Sequence, residues 1–144
     1  MFALMEMWEL VARESIRDTE ARYNHAGDRG RYDEIIACFT DDGVLAIVGG
    51  EEHRGHAALE SFFGGVGAGA APGFTHLRHC MTNLLIDVDS PEQASAQSYF
   101  QVITDIGLDH WGRYRDRLVP AGDRWLLANR SVKTDGYAPN SFFA

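Results

Sequence analysis

The sequence predicts an α+β domain in which a curved, mostly antiparallel sheet closes into a cone around leading helices. Three observations carry that prediction. The N-terminal part repeats apolar side chains at intervals of three and four, the period of a helix lying on a core. The second half breaks into four strand-length segments joined by short turn-forming runs, the pattern of a sheet whose sequential strands pair antiparallel. Neither a linker nor an internal repeat divides the 144 residues, a length that suits one domain over 1–144.

The elements follow in order. Residues 3–26 lack Pro and Gly and place Leu4, Trp8, Val11, Ala12, Ile16, Thr19 and Tyr23 on one helical stripe. After Gly27, Tyr32, Ile35, Ile36 and Phe39 give a second helix, punctuated by Asp41-Asp42-Gly43. Val44–Val48 reads as a short strand running into Gly49-Gly50. A short helix carrying Leu59, Phe62 and Phe63 follows Gly55, and the Gly/Ala-rich stretch 64–73 reads as a mobile loop. Strands are expected at about 74–88, 93–105, 109–119 and 124–133, separated by Asp89-Ser90-Pro91, a turn around Gly107, and Pro120-Ala121-Gly122-Asp123.

Composition narrows the function. A hydrophobic fraction of 45% and a net charge of −8 suit a globular protein and argue against nucleic acid, which needs a basic surface for counterion release. Arg113, Arg115 and Arg117 alternate and so share a face, with Asp109, Asp116 and Asp123 near enough to neutralise them. No run of about 18 apolar residues exists, and Glu6 and Glu9 stand where a signal peptide would be basic, so a cytoplasmic protein with no membrane partner is expected. Cys38 and Cys80 lack metal-ligand spacing and read as buried free thiols; neither a metal nor a cofactor is expected.

Two polar residues stand out against apolar strand faces. Period-two alternation groups His79 with Leu77, Met81, Asn83 and Leu85, and groups Arg130 with Leu126, Ala128 and Val132. An arginine on an apolar face must be paired or bordered by a wet cavity. Each candidate also has a plain structural reading: His79 a satisfied core residue, Arg130 a salt-bridged surface residue, Tyr23 core, and Asp28 a cap for the second helix. Together they make a set sufficient for elimination. Asp28 would orient His79 as a general base, Arg130 would stabilise a departing anion or developing oxyanion, and the Tyr23 hydroxyl would donate to a carbonyl or leaving group. Leu77, Met81, Phe62, Phe63 and Trp125 are the expected pocket walls.

The order and spacing of Tyr23 to Asp28 with Tyr32-Asp33, Phe39 to Gly43, Arg54-Gly55, Thr75-His76, His79 to Asn83, Gly112 to Asp116, and Trp125 with Arg130 resemble the SnoaL-like branch of the nuclear transport factor 2-like superfamily. The resemblance covers nearly the whole chain and implies the cystatin-like cone as a single SnoaL-like domain. Within the superfamily the chain is similar to the group containing scytalone dehydratase, bile acid 7α-dehydratase and hexachlorocyclohexane dehydrochlorinase, which use an Asp–His base. The resemblance implies the base pair at Asp28 and His79, the final-strand arginine at Arg130, and at Tyr23 the position where members carry a Tyr or Lys that assists the leaving group. Asp105 and His110 lie near where some relatives place a second acid, without a spacing that aligns.

The expected function is therefore a cofactor-independent lyase, of dehydratase or dehydrohalogenase type, acting on a small apolar cyclic substrate in a deep pocket. Alternatives are an isomerase or hydrolase in the same pocket, a non-catalytic ligand-binding protein, or a β-type subunit of a ring-hydroxylating dioxygenase. A homodimer or homotrimer is expected, with Trp111 and Tyr114 offering exposed aromatic area. The apolar segment from Tyr137 to Phe143 is expected to cover the pocket mouth or a neighbouring copy.

Overall fold

In the computed structural model, which describes residues 3–69 and 72–144, helix α1 spans Met7–Asp28. It buries Ala12, Ile16, Thr19, Glu20, Tyr23, Asn24 and Ala26, and a Glu9–Arg13 pair one turn apart supports its outer face. The second helical pattern yields only α2, Tyr32–Ile36. Phe39 already lies in strand β1, Phe39–Ile47, so Asp41-Asp42-Gly43 sits inside a strand instead of ending a helix. The reason is a bulge: β1 leaves its partner after Phe39 and rejoins at Val44. A Cβ on Gly43 would stand 2.9 Å from the Phe39 Cβ and 3.0 Å from the Leu127 carbonyl oxygen, so the bulge needs glycine.

Strand β2, Glu52–Arg54, which the sequence pattern does not reveal, pairs with β1. Helix α3, His56–Gly69, takes up most of the stretch expected to be a loop; residues 70 and 71 of that stretch lie outside the described residues. Four long strands follow: β3, Arg78–Ser90; β4, Gln93–Thr104; β5, Gly107–Ala121; β6, Arg124–Tyr137. The sheet order is β2-β1-β6-β5-β4-β3, antiparallel throughout except for the parallel β1–β6 pair. This is an α+β fold whose curved sheet holds α1 against its concave face, with Ile16, Phe39, Leu45, Leu59, Phe100, Val102, Leu118 and Leu127 in the core. Each such side chain stabilises the fold by about 1.5–3 kcal/mol relative to exposure.

Bulges change which residues share a face. In β3 the pairing with β4 slips between Thr82 and Leu85, and Asn83 adopts φ 51°. His79 and Met81 face inward before the slip, whereas Leu84, Ile86 and Val88 do so after it; Asn83 and Leu85 are exposed and do not share the face of His79. In β6 the pairing with β5 slips at Ala128, so Arg130 follows Trp125 and Leu127 inward, and Leu126 and Ala128 are not its face-mates. Asp109 and Asp116 also point inward, away from Arg115 and Arg117, and leave Arg113 to pair with Asp135 at 3.5 Å. Tyr114 is buried and Trp111 lies across Gly136 on the opposite face, so the two do not form one exposed aromatic patch. Cys38 is buried as expected but Cys80 is exposed. Among the described residues no helix is long and apolar enough to cross a membrane.

Candidate active site

A cavity of about 400 Å³ opens between the end of α1, helices α2 and α3, residues 74–77 and the inner face of β5. Its size falls within the range of small-molecule sites. Six aromatic side chains, Tyr23, Tyr32, Phe63, Phe74, Tyr114 and Phe143, line it, together with His79, His110 and Asp28.

Asp28 is the last residue of α1 and caps no helix; α2 begins after Arg31, with no side-chain cap. Its Oδ1 accepts from the backbone N–H of His79 at 2.9 Å and lies 2.6 Å from His79 Nδ1. A carboxylate accepts only, so Nδ1 carries the proton and Nε2 is left as the unprotonated nitrogen of the neutral ring. Both side chains are mostly buried, with 20% and 12% exposure. Screening by water is therefore reduced at this pair.

A second Asp–His pair, which the sequence pattern does not align, lies on the same sheet wall as the first, His79 and His110 flanking Val102 of β4 from its two sides. Neighbouring strand residues normally point to opposite faces, but Asp109 is bulged out of the β4–β5 pairing, between the partners of Val102 and Ile103. That lets Asp109 tuck behind His110 and hold its Nδ1 at 2.8 Å. Burial pushes the His110 imidazole below its ordinary value, outweighing the bond and charge of Asp109, and His79 pushes the same way. The only sequence signal for this pair was the adjacency of an acid and a histidine on one strand.

Arg130 is not a wall of the cavity. It is fully buried, donating to both Asp116 oxygens at 2.8 Å and also to Glu20, and its guanidinium lies between the rings of Tyr23 and Tyr114 at 4.2 and 4.0 Å. Both rings line the cavity and Arg130 does not, so the guanidinium meets the cavity through Tyr23 and Tyr114. One guanidinium facing two carboxylates leaves an excess negative charge. Burial first, and the charge of Asp116, push Glu20 up to about 8 against the opposing pull of Arg130. Tyr23 does line the cavity, held edge-on by Phe39, Phe63 and Tyr114; burial pushes its phenol up to about 12, so it stays a proton donor.

Of the expected pocket walls, Leu77 and Phe63 line the cavity. Phe62 turns away and packs on His53 at 4.4 Å beside a separate surface groove. Met81 packs into the core without reaching the cavity, and Trp125 is buried against α1, where its N–H donates to Ser15 and its carbonyl accepts from Thr19. Two further segments border the cavity. Residues 74–77 are clasped by Asp105, which accepts from the Thr75 N–H at 2.7 Å and hydroxyl at 2.6 Å; these bonds lower its carboxyl to about 2. The C-terminal segment places Phe142 and Phe143 against Phe74 at 5.7 and 5.4 Å, and Phe143 lines the cavity. Among the described residues no three His, Cys, Asp or Glu side chains converge as metal ligands.

The SnoaL-like domain is matched over residues 8–131 of this chain. No curated protein sequence matches it. Similar solved structures include a Catenulispora acidiphila protein in complex with S-DNPA, 29% identical, covering 85% of this chain and 92% of that one, TM-score 0.74. A proposed scytalone dehydratase of Novosphingobium aromaticivorans is 21% identical over 93% of this chain and 91% of its own, TM-score 0.79. The crystal structure of LinA is 17% identical over 96% of this chain and 97% of its own, TM-score 0.79. A Nostoc punctiforme protein with a cystatin-like fold is 22% identical over 95% and 98%, TM-score 0.78. At these identities the last three establish the fold, which is cystatin-like.

Proposed function

We propose that this chain, which belongs to the SnoaL-like domain family, is a lyase that removes a proton from a small apolar cyclic substrate with the Asp28–His79 pair. The observation that supports this most is the 2.6 Å contact that holds His79 Nδ1 on Asp28 at the wall of an aromatic cavity, the geometry a general base requires. His79 Nε2 takes a proton from a ring carbon. The C–H electron pair becomes the new carbon–carbon π bond, and the group on the adjacent carbon leaves with its own bonding pair. A departing hydroxide is completed to water by a proton from Tyr23 or from the His79 imidazolium, and a halide leaves as the anion. Arg130 supports this chemistry indirectly, fixing the Tyr23 ring by stacking on it. The likeness to a proposed scytalone dehydratase and to LinA points to the same class of reaction by analogy of fold.

The second Asp-held imidazole favours one other reading. Two bases two strands apart on one cavity wall suit removal of a proton from one carbon and its return to another, which is an isomerisation. Product mass separates the two in a screen of hydroxylated and halogenated cyclic compounds: loss of water or hydrogen halide supports the lyase, and unchanged mass the isomerase. Turnover that survives in His79→Ala sinks both.

A further inference from the structure

We propose that Ser141 is a positioning residue for the site, seating the C-terminal segment on Asp109 and thereby aiming His110 into the cavity. The role given to the cavity rests on the reading above, but the coupling itself does not. Asp109 is fully buried. Its Oδ2 accepts from the Thr104 hydroxyl at 3.1 Å and the Phe142 N–H at 3.0 Å, and its Oδ1 accepts from the Ser141 hydroxyl at 2.5 Å and His110 Nδ1 at 2.8 Å. Its carbonyl accepts from the Ala138 N–H at 2.7 Å. Two of the four donors to this carboxylate therefore come from the C-terminal segment, and Ser141 shares one oxygen with the imidazole.

The Ser141 hydroxyl also accepts from the Phe143 N–H at 3.0 Å. Phe143 in turn packs on the His110 ring at 5.1 Å and lines the cavity. One hydroxyl thus joins the carboxylate that orients the ring to the aromatic side chain that shields it from water. Burial alone would push Asp109 up, yet its bonds from Ser141, His110, Phe142 and Thr104 hold it below the usual carboxylate range, so it is charged behind the imidazole. The titratable groups facing His110 are Asp109 on its own strand, His79 from β3 and Tyr137 from β6; Phe100 and Phe143 supply the apolar contacts.

The test follows the imidazole of His110 by ¹⁵N and ¹H NMR across pH, assigned with His110→Gln, in the full chain without any substrate. In Ser141→Ala the ring gains water and a carboxylate freed of a competing donor. Its midpoint is expected to rise by on the order of one pH unit. Ser141→Thr, which keeps the hydroxyl, is expected to titrate as the unaltered protein does. Thr104→Val removes a donor that does not belong to the segment and is expected to move the midpoint less. An unmoved midpoint in Ser141→Ala, or an equal shift in Thr104→Val, overturns the proposal. Should Ser141→Ala fail to fold, Phe143→Ala leaves every bond to Asp109 in place and removes only the shield; its midpoint must rise, and an unchanged one overturns the proposal equally. Because no turnover is measured, loss of the lyase reading would leave this outcome intact.

Discussion

The Arg130 guanidinium lies 4.2 Å from the centre of the Tyr23 ring, which lines the cavity while Arg130 does not. It forms the floor on which a cavity wall rests, and its two-pronged bond to Asp116 leaves little freedom to shift.

Replacing Arg130 with Leu would leave Glu20 and Asp116 buried with no counter-charge. The expected loss is about 3–5 kcal/mol, measured by urea denaturation. Arg130→Lys keeps the charge but not the fork, and should retain part of that stability. If Arg130→Leu unfolds at the same urea concentration as the parent, the cluster is not holding the fold.

Glu20 sets a pH dependence of stability. Its carboxyl rises from 4.5 to about 8 on folding, so folding favours its protonated form. That contribution is complete below 4.5 and declines as pH rises toward about 8. Glu20→Gln, which cannot ionise, is expected to flatten the denaturation midpoint between those limits. A slope in Glu20→Gln equal to the parent's would assign it to another group.

The Asp28–His79 pair makes a claim about one proton. In the neutral ring the ¹⁵N shifts should report Nδ1 as protonated, and Asp28→Asn should mix the tautomers. On any substrate found by screening, Asp28→Asn should lower kcat by about 10²–10⁴-fold, with little change in thermal stability because the amide oxygen still accepts the His79 N–H. A predominantly Nε2–H ring in the unaltered protein would remove the base.

Asn83 is the one described residue other than glycine with positive φ, at 51°. Asn tolerates this conformation, whereas Asn83→Val should cost about 1–2 kcal/mol by chemical denaturation. Asn83→Gly should be near neutral. The consequence reaches the site, since this bulge ends the face that carries His79.

The legible part of the molecule was what repeats. The long stripe from Ala12 to Tyr23 and the four late strands follow simple periods, and the positions of Asp28 and His79 follow from where those elements stop. Three local slips defeated the period. At Asn83, Ala128 and Asp109 an added residue reverses which side chains face in, so Leu85 went out, Leu127 joined Arg130, and His110 acquired a carboxylate beside it. Alternation carries no mark of such a slip, because it depends on the partner strand. The partners of Arg130 leave no mark near it in the sequence, because Asp116 and above all Glu20 are distant along the chain and meet it only in the fold. Phe62 and Trp125 are apolar whichever way they point, so composition could not assign them to the cavity.

The parallel pairing of β1 with β6 has a bearing on synthesis. When α1, α2 and β1 leave the ribosome, the strand that must hold β1 has not yet been made. Phe39 and Val44 to Ile47 therefore lack their β6 partner until translation reaches Leu127 to Val132, while β2 can pair with β1, and β3, β4 and β5 with one another, as each emerges. That interval is when the chain is most exposed to aggregation and to chaperones, and its length is set by how quickly the intervening residues are translated.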